Sequence, residues 1–127
     1  MRPPETIEGP HSQALRAFRM LTSDIALFHR TRDPRDKSMY RTDAYRQSLE
    51  LIRLADDGNN PQARIEVSEA FGQLWQRDSR LAGSMYWHIA GAHRAAFPGE
   101  DLGPVRRMLG VELKRGMVTP TSLPRPQ

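Results

Sequence analysis

The sequence predicts an all-α, single-domain bundle of four main helices and a short C-terminal helix. Ala and Leu together number 24 residues while Val and Ile number 9, and unbranched side chains lose less rotamer entropy in a helix than β-branched ones. The 10 prolines leave proline-free stretches at 11–33, 35–60, 62–97 and 105–119, each long enough for a helix. A chain of 127 residues without an internal repeat or linker is the size of one domain.

The first proline-free stretch predicts a helix from about Ser12 to His29. Its apolar residues step by 4, 3, 4 and 3 positions, so they line one face of the helix. These residues are Ala14, Phe18, Leu21, Ile25 and Phe28. We expect the segment from about Thr31 to Arg41 to form the longest irregular loop inside the bundle, and loops on rigid scaffolds often carry function.

The second helix is predicted to follow the capping candidates Thr42 and Asp43 and to end near Gly58. Three of its apolar residues lie along one face of the helix, and two more apolar residues lie beside this face. The face consists of Tyr45, Leu49 and Ile52, and the residues beside it are Leu51 and Leu54.

The third helix is predicted to begin at Asn60-Pro61, where an N-cap residue precedes a proline in the first turn. The periodic apolar positions of the third helix would continue at position 78, but this residue is Asp, and the apolar residues after it are shifted by one position. We therefore predict a break near Asp78-Ser79, where either residue can cap a new helix. One continuous helix of about 37 residues is the alternative. The fourth helix is predicted to end at Phe97-Pro98-Gly99. The apolar residues before and after the break are Ala63, Val67, Phe71 and Leu74, and then Ala82, Met85, Ile89, Ala92 and Ala96.

A short fifth helix is predicted to open at Pro104 and to end near Gly116, with Val105, Met108 and Leu109 as its apolar residues. The chain before the first helix and after the fifth is rich in proline and lacks periodic apolar residues. We therefore divide the chain into a flexible N-terminal tail at 1–10, a helical bundle at 11–117 and a flexible C-terminal tail at 118–127.

Composition and motif content argue against several classes of protein. The chain has no Cys for a disulfide or a thiolate ligand, and no apolar run approaches the roughly 18 residues of a membrane span. The N-terminus lacks the apolar stretch of a signal peptide, so we expect a cytoplasmic protein without membrane contact. His88 and His93 point about 140° from each other on a helix, which does not suit a shared metal. We find no nucleophile or phosphate-loop motif, and we expect no catalytic, metal or cofactor site.

The chain carries a net charge of +4, with 19 basic and 15 acidic residues, which favours an anionic partner. Basic residues concentrate on the first helix and on the segment after it. We predict that they converge into one stripe that binds the phosphate backbone of RNA or DNA. The stripe consists of Arg16, Arg19, Arg30, Arg32, Arg35, Lys37 and Arg41. The alternative is a solvated face, because 17 of the basic residues are Arg and a GC-rich genome alone enriches arginine.

Large aromatic residues in the third and fourth helices are candidates for contacts between subunits. Aromatic side chains are enriched at protein interfaces, and a small phosphate-binding protein gains avidity when several copies line up on one strand. We assign this role to Trp75, Tyr86 and Trp87. The alternative is that they fill the core of the bundle.

This short, basic, all-helical chain resembles the small subunits of CRISPR effector complexes over residues 12–115, in length, helices and charge rather than in a motif. The resemblance implies a non-enzymatic subunit of a ribonucleoprotein complex in antiviral defence, which holds nucleic acid through basic surfaces without reading bases. It also implies several copies of the chain and other protein subunits as partners, and it assigns no residue. The alternative function is a protein-binding adaptor or regulator with no nucleic-acid role.

Overall fold

The computed structural model describes residues 10–55 and 61–110, which form five α-helices and contain no β-strand. The helices are α1 (Pro10–Arg30), α2 (Pro34–Ala55), α3 (Pro61–Arg77), α4 (Ser79–Ala96) and α5 (Gly103–Leu109). The prediction of an all-α single domain is confirmed. The predicted tails apart from residue 10, and the predicted end of the second helix near Gly58, lie outside the described residues.

Buried side chains from all five helices form one core. α1 packs most extensively against α2, to which a short turn at 31–33 connects it, and α3 packs against α1, α4 and α5. Four of the five residues predicted to line α1 are buried, and Phe28 is half-buried. A fully buried Leu or Ile stabilises the fold by about 1.5–3 kcal/mol relative to an exposed one. The largest enclosed apolar side chains are Leu21, Ile25, Leu51, Val67, Met85, Tyr86, Ile89, Val105, Met108 and Leu109.

α2 begins at Pro34, so the prediction of a loop from Thr31 to Arg41 is wrong. The Asp33 carboxylate accepts a hydrogen bond of 2.9 Å from the backbone N–H of Arg35, and a proline follows Asp33 at the first helical position. This is the same pair of signals that predicted the start of the third helix. The apolar pattern gives no sign of this helix start, because no side chain of α2 before Ala44 is buried, and apolar periodicity is therefore missing from residues 34–43.

The buried face of α2 also differs from the predicted one. Tyr45 is 42% exposed and Leu49 is only partly buried, whereas the neighbouring Ala44 and Ser48 are buried. These small side chains let α2 approach the adjacent helices closely, and a tyrosine ring in the same place would hold them apart.

α3 and α4 are separate helices, as predicted, and the alternative of one continuous helix is wrong. Asp78 lies between them with non-helical backbone angles of φ −153° and ψ 83°. Its carboxylate accepts a hydrogen bond of 3.2 Å from the backbone N–H of Leu81, which caps α4. The predicted end of α4 is also confirmed, since the helix stops at Ala96, directly before Phe97.

α5 opens beside Pro104 as predicted but ends at Leu109 instead of near Gly116. Gly110 follows with a φ of 73°, a left-handed conformation that glycine adopts without the strain of a side chain. A Cβ at this position would also collide with the Ser68 side chain of α3. Helix α5 therefore ends before Gly110, because the backbone and the packing at this position require glycine.

Candidate nucleic-acid interface

The basic residues of α1 lie on the side of this helix that faces away from the core. At about 100° per residue, Arg16, Arg19 and Arg30 fall within about 60° of one another, opposite the buried residues. All three side chains are exposed. Arg16 and Arg30 are about 21 Å apart along the helix axis, so only Arg30 lies at the end of α1 that meets the α1–α2 turn.

The basic residues of α2 point in two directions. Lys37 and Arg41 differ by about 40° around the helix, whereas Arg35 lies about 160° from Lys37. Arg35 lines a separate groove together with Asp43 and Arg46. The prediction of one continuous stripe is therefore wrong, because the helix that replaces the predicted loop turns its basic residues to different sides.

Phe28 holds Lys37 and Arg41 at the end of the bundle where α1 meets α2. The Lys37 Nζ lies 4.2 Å from the centroid of the Phe28 ring and donates a hydrogen bond of 2.6 Å to the Phe28 carbonyl oxygen. The guanidinium carbon of Arg41 lies 5.9 Å from the same ring centroid. Cations are attracted to aromatic faces and to the C-terminal carbonyl groups of a helix, so both interactions stabilise this position.

The start of α4 lies at the same end of the bundle, where it contacts His29. The His29 Nε2 and the Ser84 Oγ form a hydrogen bond of 2.8 Å. Burial lowers the pKa of His29 below its usual range, and the positive charges of Lys37 and Arg80 lower this pKa further. Arg80, in the first turn of α4, is therefore a basic residue of this site that the sequence analysis missed. No sequence spacing signals it, because only the packing of α4 against α1 brings Arg80 close to His29.

We call the cations around the α1–α2 turn the basic end. No carboxylate of residues 10–55 and 61–110 lies within 4.0 Å of their charged groups. Asp33, Asp36 and Asp78 are neighbours in the chain, but Asp33 and Asp78 accept backbone N–H groups where α2 and α4 begin. The five cations outnumber these three carboxylates, so the basic end keeps an excess of positive charge, and its cationic side chains offer hydrogen-bond donors only. Its members are Arg30, Arg32, Lys37, Arg41 and Arg80.

His88 lies inside the basic end as a neutral side chain. Burial lowers its pKa, and His29 and Arg41 nearby lower this pKa further. Its ring packs edge-on against Phe28, with ring centroids 6.0 Å apart. Across the described part of the chain, no group of three or more His, Cys, Asp or Glu residues is placed to hold a metal ion. At neutral pH the positive charge of the basic end therefore comes from arginine and lysine.

The aromatic residues predicted to contact a second subunit differ in their burial. Tyr86 is 0% exposed and packs at right angles to Trp87, with ring centroids 5.2 Å apart. Tyr86 is therefore a core residue of the monomer, and its assignment as a subunit contact is wrong. Trp75 and Trp87 pack against the core but are only half-buried, so each keeps part of its ring at the surface.

A pair of carboxyl groups lies between α1 and α2, on the side that Arg35 faces. Asp24 and Asp43 line a groove of about 530 Å³ there. Burial raises the pKa of Asp24 to about 7, and hydrogen bonding to Asp43 and the negative charge of Asp43 act in the same direction. Arg46, whose guanidinium lies 3.4 Å from the Asp43 carboxylate, opposes this rise. The pair was not predicted from the sequence, because the helix that brings Asp43 beside α1 was expected to begin only at that residue.

Comparisons with known proteins give no relative for this chain. The sequence matches no protein-family model and no curated protein, and the fold matches no solved structure. Separately, none of the helices in the described ranges combines the length and the apolar character needed to cross a membrane.

Proposed function

We propose that this protein is a non-enzymatic subunit that binds the phosphate backbone of nucleic acid through the basic end, inside a larger nucleoprotein assembly. The supporting observation is that cations from four elements, the end of α1, the α1–α2 turn, the start of α2 and the start of α4, meet at one end of the bundle. No carboxylate in the described ranges pairs with them.

The chemistry of these side chains suits phosphate better than bases. Guanidinium groups bind phosphate oxygens in a bidentate manner, and Arg30, Arg32 and Arg80 are exposed to a passing strand. Lys37 and Arg41 are held over Phe28, so they contribute mainly to the positive potential. Reading adenine or cytosine requires acceptors for their amino groups, whereas the cations of the basic end supply donors only, and phosphate oxygens accept these donors at every position of a strand. We therefore expect binding that is independent of sequence.

Several copies of the protein would give this site a useful affinity. A monomer that neutralises a few phosphates binds weakly at physiological salt, whereas copies aligned on one strand gain avidity. Trp75 and Trp87 remain candidates for the contacts between copies, because part of each ring is at the surface. RNA and DNA share the phosphate groups that the basic end would bind, and a CRISPR effector complex, whose small subunits the chain resembles in length, helices and charge, is one such assembly.

Charge reversal at the basic end tests this function. We expect the triple substitution Arg30→Glu, Arg32→Glu and Arg80→Glu to weaken binding to labelled single-stranded DNA or RNA by about tenfold or more. The plot of log affinity against log salt concentration has a negative slope, and its steepness should decrease by about 0.7 for each phosphate that the variant no longer neutralises. Fluorescence anisotropy over a salt series measures both quantities, and circular dichroism checks that the variant is folded.

A matched pair of single substitutions controls for net charge. Arg80→Glu and Arg94→Glu change the charge equally, but Arg94 is exposed in the last turn of α4, about 21 Å along the helix from Arg80. We expect only Arg80→Glu to weaken binding. Equal weakening by the two variants would place the binding site elsewhere, and wild-type affinity in the folded triple variant would rule out the basic end.

A further inference from the structure

A second surface feature of the molecule is a groove between α1 and α3, outside the basic end. It has a volume of about 390 Å³ and extends along α1 from Leu15 to Ala26. This length corresponds to about 16 Å, or three helical turns. We propose that this α1–α3 groove is a docking site for an acidic amphipathic helix of a partner protein.

The floor of the groove is apolar and closely packed. Phe18 is 5% exposed and Leu74 is 2% exposed, so both side chains form the bottom of the groove rather than project from it. Ala26 and Ala70 line its sides and leave room above this floor. Small side chains allow a third helix to approach α1 and α3 closely, and its apolar residues would then cover the floor.

Two arginines flank the groove, one from each helix. Arg19 of α1 and Arg77 of α3 both line it, and both are exposed. Neither side chain lies within 4.0 Å of a carboxylate belonging to the described residues. A partner helix with complementary charge would therefore carry carboxylates on either side of its apolar residues.

An amphipathic helix fits this arrangement better than a nucleic acid. Its apolar residues recur at every third or fourth position and would cover the floor over about three turns, while glutamates beside them would meet Arg19 and Arg77. Single-stranded nucleic acid needs a row of cations along its phosphates or exposed aromatic rings on which its bases stack, and the lining of this groove contains two cations, Arg19 and Arg77. Phe18 offers no exposed ring face, since it is almost completely enclosed.

The test uses a synthetic helical peptide of about 18 residues, with leucines at every third or fourth position and glutamates beside them. A peptide of the same pattern with lysines in place of the glutamates is the control. Titrated into the full chain labelled with ¹⁵N, the acidic peptide should shift the amide resonances of Thr22, Ala26, Ala70 and Gln73, and the basic peptide should leave them unchanged.

Substitutions at the two arginines should confirm the site. We expect Arg19→Glu together with Arg77→Glu to weaken binding of the acidic peptide at least about tenfold, and Arg94→Glu to leave it unchanged. If the double variant does not fold, Gln73→Glu adds a negative charge to the same groove at an exposed position and should weaken binding in the same direction.

Three results would each overturn the proposal. The first is an absence of shifts at the groove with the acidic peptide, and the second is equal binding of the acidic and basic peptides. The third is an oligonucleotide that shifts the groove amides as strongly as the acidic peptide does. A loss of oligonucleotide binding at the basic end would not affect this outcome, because the two surfaces use different residues.

Discussion

Asp24 and Asp43 illustrate how a single contact between helices changes the chemistry of a side chain. Each residue alone is an ordinary polar position on an amphipathic helix. Side by side, the two carboxyl groups cannot both ionise without repulsion, and burial adds to the cost of charge. The protonated Asp24 therefore persists to about neutral pH, as its pKa of about 7 indicates.

This pair contributes stability that decreases as the pH rises from about 4 to about 7, whereas the lowered pKa values of His29 and His88 act in the opposite direction below pH 6.5. In this window the unfolded chain releases the Asp24 proton near its usual pKa of 3.8, whereas the folded protein retains it. Unfolding then releases a proton, and it becomes more favourable with rising pH. We expect a loss of about 1 kcal/mol, less than the full shift would give, because the pair lies partly in solvent. Urea unfolding of the wild type and of Asp24→Asn at about pH 5 and about pH 8 isolates this contribution, because the histidines act equally in both proteins.

Two substitutions control this measurement. Asp24→Asn keeps a hydrogen-bond donor near Asp43 but cannot titrate, so this variant should lack the loss of about 1 kcal/mol and keep only the opposite trend from His29 and His88. Glu69→Gln removes an exposed carboxylate of α3 and should retain the pH dependence of the wild type. An unchanged pH dependence in Asp24→Asn would contradict the role of this pair.

At the scale of the helices, caps determine where α2 and α4 begin. Asp33 and Asp78 each lie before a helix and accept an N–H from its first turn. The cap of α2 has a further consequence, because the first turn of this helix contains Lys37, which binds the Phe28 carbonyl oxygen. A start at Thr42 would leave Lys37 in an irregular loop, without a fixed position over Phe28.

The cap of α2 predicts a measurable loss of stability. Asp33→Ala leaves the N–H of Arg35 without its acceptor, and we expect it to decrease the free energy of unfolding by about 1 kcal/mol. Asp33→Asn removes the same charge but keeps a good capping side chain, so it should stay close to the wild type. Equal urea midpoints for the two variants would show that the side chain does not cap α2.

At the scale of the whole molecule, the described helices share one core. A single core predicts one cooperative unfolding transition. Trp75 of α3 and Trp87 of α4 report tertiary packing by fluorescence, and circular dichroism reports the helices, so the two urea curves should superimpose. Separate midpoints would contradict the single core.

A substitution in the core extends this prediction. Ile89→Ala, at a side chain that is 0% exposed, should shift both curves to lower urea and decrease the free energy of unfolding by about 2–5 kcal/mol. Ile65→Ala, at a side chain that is 48% exposed, removes the same atoms and should cost no more than about 0.5 kcal/mol.

The amino-acid sequence by itself determined the helical class and most helix boundaries. The steps of four and three residues in α1, the pair Asn60-Pro61 and the cap at Asp78 all act within one or two turns of backbone, so their effect can be predicted from neighbouring residues. The start of α2 at Asp33-Pro34 depends on the same local interactions. It was not predicted, because the first part of α2 has no buried residues and therefore no apolar periodicity.

Only the tertiary structure decided which side chains share a surface. It placed Arg80 beside His29, enclosed Tyr86 and formed the groove between Arg19 and Arg77. These outcomes depend on how each helix is rotated and which helix it packs against, and that arrangement is set by the burial of the whole core at once. No spacing along the chain carries this information, because residues from separate helices meet only after the bundle has formed.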